Sequence, residues 1–511
     1  MKKKFSAAVA VLLLATMVTA AYAQVSYPNS WFTSYQIANL GDDAATIHVD
    51  YYDETGVSDP TMSRDFPDVT VGGSVTILQS VEDTLDEGVW SAVVSADQPI
   101  AAVVNQQTAI SGDLGSIPPF SSYSGASEGA TEVMVPSVMY NWFGYYTEIV
   151  IQNVGTTDAV DIDIEYFPTT YGGCLAGATG QSDVDMTLAQ YAGQTVSQVA
   201  MTKLGASGLT GDCAYLNGRF LGSAKITADQ DIAVVVNEHV QNKLFTYNGF
   251  PATGATNIVL PAYMRNYYGY YAAMVIANPG TVTATVTVTY TNGALGNSPA
   301  GQEVVVGTHE VPAGENITIY DGETGDDTDL ALAGYDYAST YSFFGTAEIS
   351  SDEPVVALVN QEAVAASGAQ AGSYNGAAAA TEGSAKISVP LIQSAFYGYY
   401  TSLTIMTVDG GEATLNITYT SDDTYSTVQG HSETYNHTTT NGFLNRYEGP
   451  SLDPSLSDVL SDAAWESGGY RRFIGSAVIE VVSGSNIVAF VNSEYSAPGI
   501  DSMYTYNAFS Q

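Results

Sequence analysis

The segment "LGSAKITADQDIAVVVNE" at residues 221–238 is the most informative stretch of this chain for its fold. Its first half alternates, because Ala224, Ile226 and Ala228 are separated by polar residues. Successive side chains of a β-strand point to opposite faces, so this half predicts a strand with one buried and one solvated face. The second half, "IAVVVN", is apolar throughout, which indicates a strand that is covered on both sides or lies centrally in a sheet.

The same pattern recurs three more times in the chain, which gives four copies in all. The other three are "VWSAVVSADQPIAAVVNQ" (89–106), "FGTAEISSDEPVVALVNQ" (344–361) and "IGSAVIEVVSGSNIVAFVNS" (474–493). The short polar residues and prolines between the halves, at 97–99 and 352–354, favour turns. We therefore predict a β-hairpin in each copy. The closing asparagines are Asn105, Asn237, Asn360 and Asn492. We expect them to hydrogen-bond neighbouring loop backbone and fix the exit from the sheet, a structural rather than a catalytic role.

Two further landmarks accompany every copy in the same order. One comprises "YQIANLG" (35–41), "IVIQNVG" (149–155), "MVIANPG" (274–280) and "LTIMTVDG" (403–410). The other comprises "YSG" (123–125), "YNG" (247–249), "YNG" (374–376) and "YNA" (506–508). An ordered set of landmarks that recurs four times predicts a tandem repeat.

Period-two alternation extends to the other predicted strands. The segments "ATIHVDYY" (45–52), "VDIDIEYF" (160–167), "ATVTVTYT" (284–291) and "ATLNITYT" (413–420) place every second residue, Val160 among them, on a buried face. About six or seven short strands in each copy predict an all-β fold of four tandem antiparallel, immunoglobulin-like β-sandwiches. Copies one to four span residues 24–130, 131–255, 256–384 and 385–511. Arranged in line, they would form a rod on the order of 150 Å long.

The N-terminal residues 1–23 are typical of a secretory signal peptide. Three lysines precede an apolar stretch, and Ala21-Tyr22-Ala23 fits the A-x-A cleavage pattern, so we expect the processed chain to begin at Gln24. A retained membrane anchor is the alternative, for which the apolar stretch is short. No later stretch has the apolar length of a membrane span. The expected location is therefore secreted, either extracellular or at the cell surface.

The charge of the chain excludes two classes of partner. Thirteen basic residues, three of them in the leader, stand against 54 acidic ones. Nucleic-acid binding and docking on anionic lipid both require basic surfaces, so neither is expected. With 45% hydrophobic and only 13% charged residues, the composition is that of a folded chain.

Together these motifs resemble the tandem β-sandwich repeats of large exported bacterial surface proteins. The resemblance covers nearly all of the chain after the leader, and it specifies the repeat better than the function, since most such proteins carry no assigned activity. It implies a non-enzymatic structural protein: a stalk, filament or surface-layer subunit that associates with itself or with other cell-surface proteins. Two copies depart from the pattern. Copy one lacks the "GYY" segment, and copy four has "MTVDG" and a longer insertion after Tyr419.

Aromatic runs precede the first core strand of copies two to four. We expect them to pack at the domain junctions and, in copy three, to seat that copy against copy two. The alternative is a glycan-binding surface of an adhesin, since aromatic faces also stack on ligands; Trp31 adds to that case. The junction residues are Trp142, Phe143, Tyr145 and Tyr146, then Tyr267, Tyr268, Tyr270 and Tyr271, then Phe396, Tyr397, Tyr399 and Tyr400.

Two further structural sites follow from residue type. Cys174 and Cys213 are the only cysteines, and an oxidising export route predicts a disulfide between them, with two free thiols as the alternative. Two acidic loops are expected to be solvated, with calcium binding as the alternative, because calcium takes several oxygen ligands from one flexible loop. They contain Glu82, Asp83, Asp86 and Glu87 in copy one, and Asp321, Glu323, Asp326, Asp327 and Asp329 in copy three.

Enzymatic motifs are weak in this sequence. "GASEG" at 125–129 matches the G-x-S-x-G pattern around Ser127, but that motif requires a strand before it and a helix after it. The histidines form no recognisable catalytic or metal-binding pattern: His48, His239, His309, His431 and His437. We expect no enzyme and no required cofactor, although plentiful carboxylates leave a glycosidase pair or an enzyme-accessory role open.

Overall fold

The computed structural model describes most of the chain as antiparallel β-sheet with two short helices. The described residues are 11–15, 31–79, 85–86, 88–108, 120–169, 181–197, 220–240, 243–293, 295–299, 303–322, 328–335, 340–363, 370–396, 398–424, 430–447, 466–467, 470–471, 473–495 and 503–511. The all-β prediction is confirmed at this level.

The strands of the first half of the chain fall into two sets of eight. The first set is β1 (Val11–Ala15), β2 (Trp31–Asn39), β3 (Ala45–Tyr52), β4 (Arg64–Val69), β5 (Ser74–Leu78), β6 (Trp90–Ala96), β7 (Ile100–Thr108) and β8 (Phe120–Ser124). The second is β9 (Ala130–Trp142), β10 (Tyr145–Asn153), β11 (Ala159–Pro168), β12 (Gln181–Leu188), β13 (Gly193–Ser197), β14 (Phe220–Val240), β15 (Lys243–Asn248) and β16 (Phe250–Pro251).

The second half of the chain continues the series. Copy three contains β17 (Ala255–Tyr267), β18 (Tyr270–Ala277), β19 (Ala284–Asn292), β20 (Val304–Val311), β21 (Asn316–Tyr320), α1 (Asp329–Leu332), β22 (Phe343–Ala363), β23 (Ala371–Asn375), β24 (Ala377–Ala378) and α2 (Ala379–Glu382). Copy four contains β25 (Lys386–Phe396), β26 (Tyr399–Thr407), β27 (Ala413–Ser421), β28 (Ser432–Thr438), β29 (Phe443–Tyr447), β30 (Glu466–Ser467), β31 (Tyr470–Arg471), β32 (Phe473–Gly484), β33 (Ile487–Tyr495), β34 (Met503–Asn507) and β35 (Phe509–Ser510).

Each copy uses the same two pairing patterns. In copy one they form separate four-stranded sheets, an outer sheet β1-β6-β3-β4 and an inner sheet β5-β2-β7-β8. The corresponding outer order is β9-β14-β11-β12 in copy two, β17-β22-β19-β20 in copy three and β25-β32-β27-β28 in copy four. The corresponding inner order is β13-β10-β14-β15, β21-β18-β22-β23 and β29-β26-β33-β34.

The predicted hairpin is wrong. In copy one, the two halves of the segment at 89–106 pair with different strands. The first half, β6, pairs with β3 in the outer sheet, and the second half, β7, pairs with β2 in the inner sheet. In copies two and three both halves belong to one long strand, β14 or β22, that passes from the outer to the inner sheet. The aspartate at the crossover accepts a backbone N–H from the neighbouring outer strand, as Asp97 does from Thr46 (2.8 Å) and Asp352 from Thr285 (2.7 Å).

The alternation predicted for the outer strands is confirmed, with one exception. β3 buries Ala45, Ile47, Val49 and Tyr51 and leaves the residues between them more accessible. In β11, however, Val160 is 53% exposed and Ala159 is buried. The pairing of β11 with β12 shifts register between Ala159 and Ile162, and such an irregularity changes which residue faces the core.

The four copies close into a ring, so the prediction of a rod is wrong. β8, β15, β23 and β34, which carry the "YSG" and "YNG" landmarks, contact one another in a cycle that returns from copy four to copy one. Asn248 Nδ2 donates to Ser124 O (2.8 Å), Asn375 Nδ2 to Asn248 O (2.8 Å) and Asn507 Nδ2 to Asn375 O (2.6 Å). Ser124 Oγ donates to Asn507 O (3.2 Å) and completes the circle.

The inner strands are buried on both faces because each copy lends residues to the core of another. In β7, Ala102 and Val104 pack in the core of copy one, whereas Val103 packs in that of copy four. The same alternation occurs in the other copies. Val150 and Val235 of copy two lie in the core of copy one, and Val356 and Leu358 of copy three lie in the core of copy two. Phe490 of copy four lies in the core of copy three. The prediction that "IAVVVN" strands are covered on both sides is therefore confirmed.

Candidate functional site

The aromatic runs form two-residue turns between the first strand of the outer sheet and the first core strand. Trp142 pairs with Tyr145, and Tyr267 pairs with Tyr270. Phe143 and Tyr268, the first turn residues, have φ values of 49°, and the glycines after them also have positive φ. Two consecutive positive φ values are typical of type I′ turns, whose first position favours Asn or Gly over a bulky side chain.

These turns expose large rings. Phe143 is 71% exposed and Tyr268 is 78% exposed. Each ring meets the preceding aromatic edge-on, at 5.3 Å between the centroids of Trp142 and Phe143 and 4.9 Å between those of Tyr267 and Tyr268. Tyr397, which aligns with Phe143 and Tyr268 in the sequence of copy four, lies outside the described residues.

The third aromatic of each run faces the copy that follows. Tyr270 OH donates to Glu494 Oε2 of copy four (2.9 Å). The ring of Tyr399 lies 5.8 Å from that of Phe120 in copy one. Burial, together with the charges of Glu362 in copy three and Glu238, raises the pKa of Tyr145 well above its ordinary value. Tyr270 and Tyr399 therefore contact the copy that follows their own.

The predicted side of the copy-three junction is wrong for these tyrosines. We expected the run of copy three to seat against copy two, whereas Tyr270 contacts copy four, and Tyr267 packs on Phe344 of its own copy at 4.7 Å. β18 does pack against β9 of copy two, through Val275 and Ala277 in the shared core. The remaining members of the runs pack within their own copies: Tyr146 stacks on His239 at 6.4 Å, Tyr271 OH donates to Asn266 Oδ1 (3.3 Å), and Phe396 and Tyr400 are partly or fully buried.

Two of the recurrent asparagines connect copies through side chains. Asn237 Oδ1 accepts from Thr246 Oγ1 (2.9 Å) and from Gln106 Nε2 of copy one (3.4 Å). Asn360 Oδ1 accepts from Ser373 Oγ (2.6 Å), and its Nδ2 donates to Glu238 Oε2 of copy two (3.0 Å). These bonds are to side chains of the same and of neighbouring copies, not to the loop backbone that we expected, and a structural role stays a prediction. Asn105 and Asn492 are buried at the same positions.

Of the residues proposed for calcium in copy three, two lie in the described part of the chain and three lie outside it. Asp321 is fully buried, where it accepts from Arg265 Nη1 (2.6 Å) and Tyr263 OH (2.6 Å). Asp329 Oδ2 lies 2.9 Å from His309 Nε2. These two carboxylates therefore have side-chain partners already. Glu323, Asp326 and Asp327 lie outside the described residues, as do Glu82, Asp83, Glu87, Cys174 and Cys213. Calcium binding and the disulfide stay predictions.

The serine and histidines considered as catalytic candidates lie apart from one another, each with its own neighbours. Ser127 is exposed between β8 and β9, so a strand follows it where the nucleophile motif requires a helix. His48 Nδ1 lies 2.7 Å from Asp65 Oδ1, and that hydrogen bond raises its pKa. His431 Nε2 lies 3.0 Å from Glu433 Oε1. Burial and the charge of Arg446 lower the pKa of His437 to about 4.

A small polar cleft lies between copies three and four. Thr291, Glu348, Thr407 and Asn441 contribute to its lining, and its volume is about 160 Å³. Burial and the charge of Asp409 raise the pKa of Glu348. Sites for small organic ligands usually have volumes of about 300 Å³ or more, so this cleft is undersized for one.

Comparisons with known proteins identify no relative. No family model, no curated protein and no solved structure matches the chain. In the part of the chain that the structure describes, no helix has the length and apolar character needed to cross a membrane.

The circle of hydrogen bonds through Ser124, Asn248, Asn375 and Asn507 was not predicted from the sequence. Ser124, Asn248, Asn375 and Asn507 belong to a recognised landmark, yet no function was assigned to it. The signal was present: a polar residue recurs after a buried tyrosine in every copy. In copies two to four that tyrosine donates to the residue after the proline of the first outer strand: Tyr247 to Ser137 O (2.8 Å), Tyr374 to Ala262 O (2.6 Å) and Tyr506 to Leu391 O (2.6 Å).

Proposed function

We propose that this chain is an exported, non-enzymatic structural protein of a bacterial cell surface or extracellular matrix, built from four immunoglobulin-like β-sandwiches. Its role would be that of a stalk, filament or surface-layer subunit. The observation that carries the proposal is the closed ring in which every copy completes the core of another. Shared apolar cores resist separation of the copies, which suits a subunit of a mechanical support.

Export is part of the proposal and rests on the leader at residues 1–23 and on the acidic composition. Electron microscopy of the native cell surface and of the purified protein tests the structural role. We expect ordered filaments or a lattice on the surface, absent from cells in which the coding sequence is deleted. Particles that stay isolated at all concentrations, with no ordered layer on native cells, would contradict it.

Glycan binding by an adhesin is the second candidate, and the exposed turn aromatics favour it. Phe143 and Tyr268 present large aromatic rings to solvent, on a backbone conformation that bulky residues rarely adopt. Strained residues are often retained for function.

A double variant, Phe143→Asn with Tyr268→Asn, tests this candidate. Asparagine suits the positive φ, so the turns are kept while the rings are removed. On a glycan array we expect a signal from the unmodified protein and at least a tenfold loss in the variant. The matched control is Val482→Asn, which alters a side chain that is 57% exposed elsewhere in copy four. Equal signals from all three proteins, or none from any, would remove the support for this candidate.

A further inference from the structure

Copy one takes the first strand of its outer sheet from residues 11–15. β1 pairs antiparallel with β6, with Leu13 opposite Ala92 and Val11 opposite Val94. In the other copies a strand of the copy itself occupies this place. There Val135 lies opposite Ala224, Leu260 opposite Ala347, and Val389 opposite Ala477. The alanines occupy the same position of the repeat, so β1 fills the place of β9, β17 and β25.

The position beside β6, at the edge of the outer sheet, requires an apolar strand. The residues that fill it elsewhere are at most 3% exposed: Val133 and Val135, Ile258 and Leu260, Ile387 and Val389. In copy one, Ala92 and Val94 of β6 belong to the core and are buried beside the same position. Without a strand there, β6 would become an edge with unpaired backbone groups next to apolar core residues.

The processed chain has too few residues to fill the place itself. Cleavage after Ala23 would remove β1 and leave residues 24–30, seven residues, before β2. In copy two, Val133 lies nine residues before Trp142, the residue that pairs with the start of β10. Nine residues of strand span about 30 Å, whereas seven extended residues reach about 24 Å. The new N-terminus therefore ends short of Val94.

We propose that the edge of β6 (Trp90–Ala96) in the processed protein is an acceptor site for a β-strand supplied by a different exported protein. The donor runs antiparallel to β6 and carries apolar residues at alternate positions, in the pattern of "VMVP" (133–136), "IVLP" (258–261) and "ISVP" (387–390). Main-chain hydrogen bonds would provide affinity, and the alternating pockets specificity. The inference rests on the proposed export, because only removal of the leader vacates the site.

A second copy of this chain is a poorer donor. Its described strands of this pattern, β9, β17 and β25, are each paired inside the ring. Residues 25–28, "VSYP", have the pattern, but only Asn29 and Ser30 separate them from β2. Two residues reach about 7 Å, which leaves little space between two molecules.

Peptide binding to the processed protein tests the proposal. The protein is purified from the exporting cell, and its first residue is verified as Gln24. The probe is a labelled peptide of residues 131–139, "TEVMVPSVM", and the control peptide replaces both valines at 133 and 135 with serine. We expect saturable binding of the probe, at least tenfold weaker binding of the control, and new hydrogen-exchange protection of backbone amides in β6.

A self-complemented variant serves as the matched protein control. It carries residues 131–139 ahead of Gln24, joined by a flexible Gly/Ser linker, and we expect it to melt at a higher temperature and not to bind the probe. Protection in the processed protein of those β6 amides that do not bond to β3, with no probe binding, would overturn the proposal. Concentration-dependent dimers that the probe dissociates would overturn the assignment to a different protein and identify a second copy as the donor.

The two proposals fail separately. An ordered surface layer made by a protein that binds no probe would refute strand acceptance alone. Probe binding by a protein that forms no layer or filament would refute the structural role alone.

Discussion

Single buried asparagines hold the first core turn of three copies. Asn278 Nδ2 donates to Val282 O (2.7 Å) and Val311 O (2.9 Å), and its Oδ1 accepts from Gly280 N (2.9 Å). Asn39 and Asn153 make the same three bonds in copies one and two. Copy four has Thr407 instead, whose Oγ1 donates to Gly411 O (2.8 Å). One side chain thus satisfies several buried backbone groups, which explains why the landmark recurs.

Substitution Asn278→Ala should lower the free energy of unfolding by about 2–4 kcal/mol, because three hydrogen bonds are lost and buried carbonyl groups stay unsatisfied. The matched variant Thr407→Ala should cost only about 1 kcal/mol, since fewer bonds are lost. Urea unfolding followed by tryptophan fluorescence measures both. Equal costs would show that the asparagine bonds are not what stabilises the turn.

Glu238 is a fully buried carboxyl group at the junction of copies two and three. Burial raises its pKa to about 7, although hydrogen bonds from Ser137 and Asn360 act in the opposite direction. The native state therefore holds a proton that the unfolded state, with an ordinary pKa of 4.5, has released. Stability should fall as the pH rises from about 4.5 to about 7, because the unfolded state binds fewer protons across that range.

Glu238→Gln should remove this dependence. The variant should be more stable than the unmodified protein by on the order of 3 kcal/mol at pH 8, and about equally stable at pH 4. Thermal melts across this pH range measure the difference. Glu132→Gln, at a surface ion pair with Lys225, is the control and should stay within about 0.5 kcal/mol at both pH values. A constant difference at all pH values would argue against titration of Glu238.

At the scale of single elements, the aromatic turns conflict with local backbone preference. Tyr268 adopts a φ of 49° in a position where Asn is favoured, and its ring is largely exposed. The neighbouring Tyr267 packs its ring on Phe344 at 4.7 Å, and burial raises its pKa to about 12. The two adjacent tyrosines therefore have opposite effects on stability. Tyr267 stabilises the turn by packing, and Tyr268 strains it.

Tyr268→Asn should stabilise the protein by about 0.5–1 kcal/mol by relieving the backbone conformation. Tyr267→Asn should destabilise it by about 2–4 kcal/mol, because a packed ring is removed. Chemical denaturation of both variants decides between strain and packing. A loss of stability in the first variant would mean that the exposed ring has a contact that supports the fold.

At the scale of the whole molecule, the copies depend on one another. Phe490 of copy four lies in the core of copy three, with its ring 4.2 Å from that of Tyr374. Phe443 of copy four packs on Phe344 of copy three at 5.4 Å. Copy one is joined to copy four by Thr76 Oγ1, which donates to Asp422 Oδ2 (2.9 Å). Neighbouring copies should consequently unfold together.

Phe490→Ala should cost about 3–5 kcal/mol, the usual cost of a large cavity in a core. Because the cavity lies in copy three, hydrogen exchange should accelerate in β18 and β22 as well as in β33. Val482→Ala, at an exposed position of copy four, should change stability by less than about 0.5 kcal/mol. Acceleration confined to copy four would indicate that the copies unfold independently.

Local patterns predicted the strands well and their partners poorly. Alternation identified the buried face of β3 because a strand's own period does not depend on its neighbours. The register shift that exposes Val160 depends on pairing with β12, so periodicity missed it. The turn-forming residues at 97–99 are compatible both with a hairpin and with a passage of the chain from the outer to the inner sheet. The chain passes between the sheets because β6 pairs with β3 and β7 pairs with β2.

The residue pattern alone predicts a fourfold β repeat with strands that are apolar on both faces. The tertiary contacts determine that the second apolar face of each inner strand is covered by the preceding copy, and that copy one in turn packs on copy four. The physical reason is that hydrophobic burial is non-directional. An apolar strand such as "IAVVVN" indicates that something must cover it, but not which surface does so.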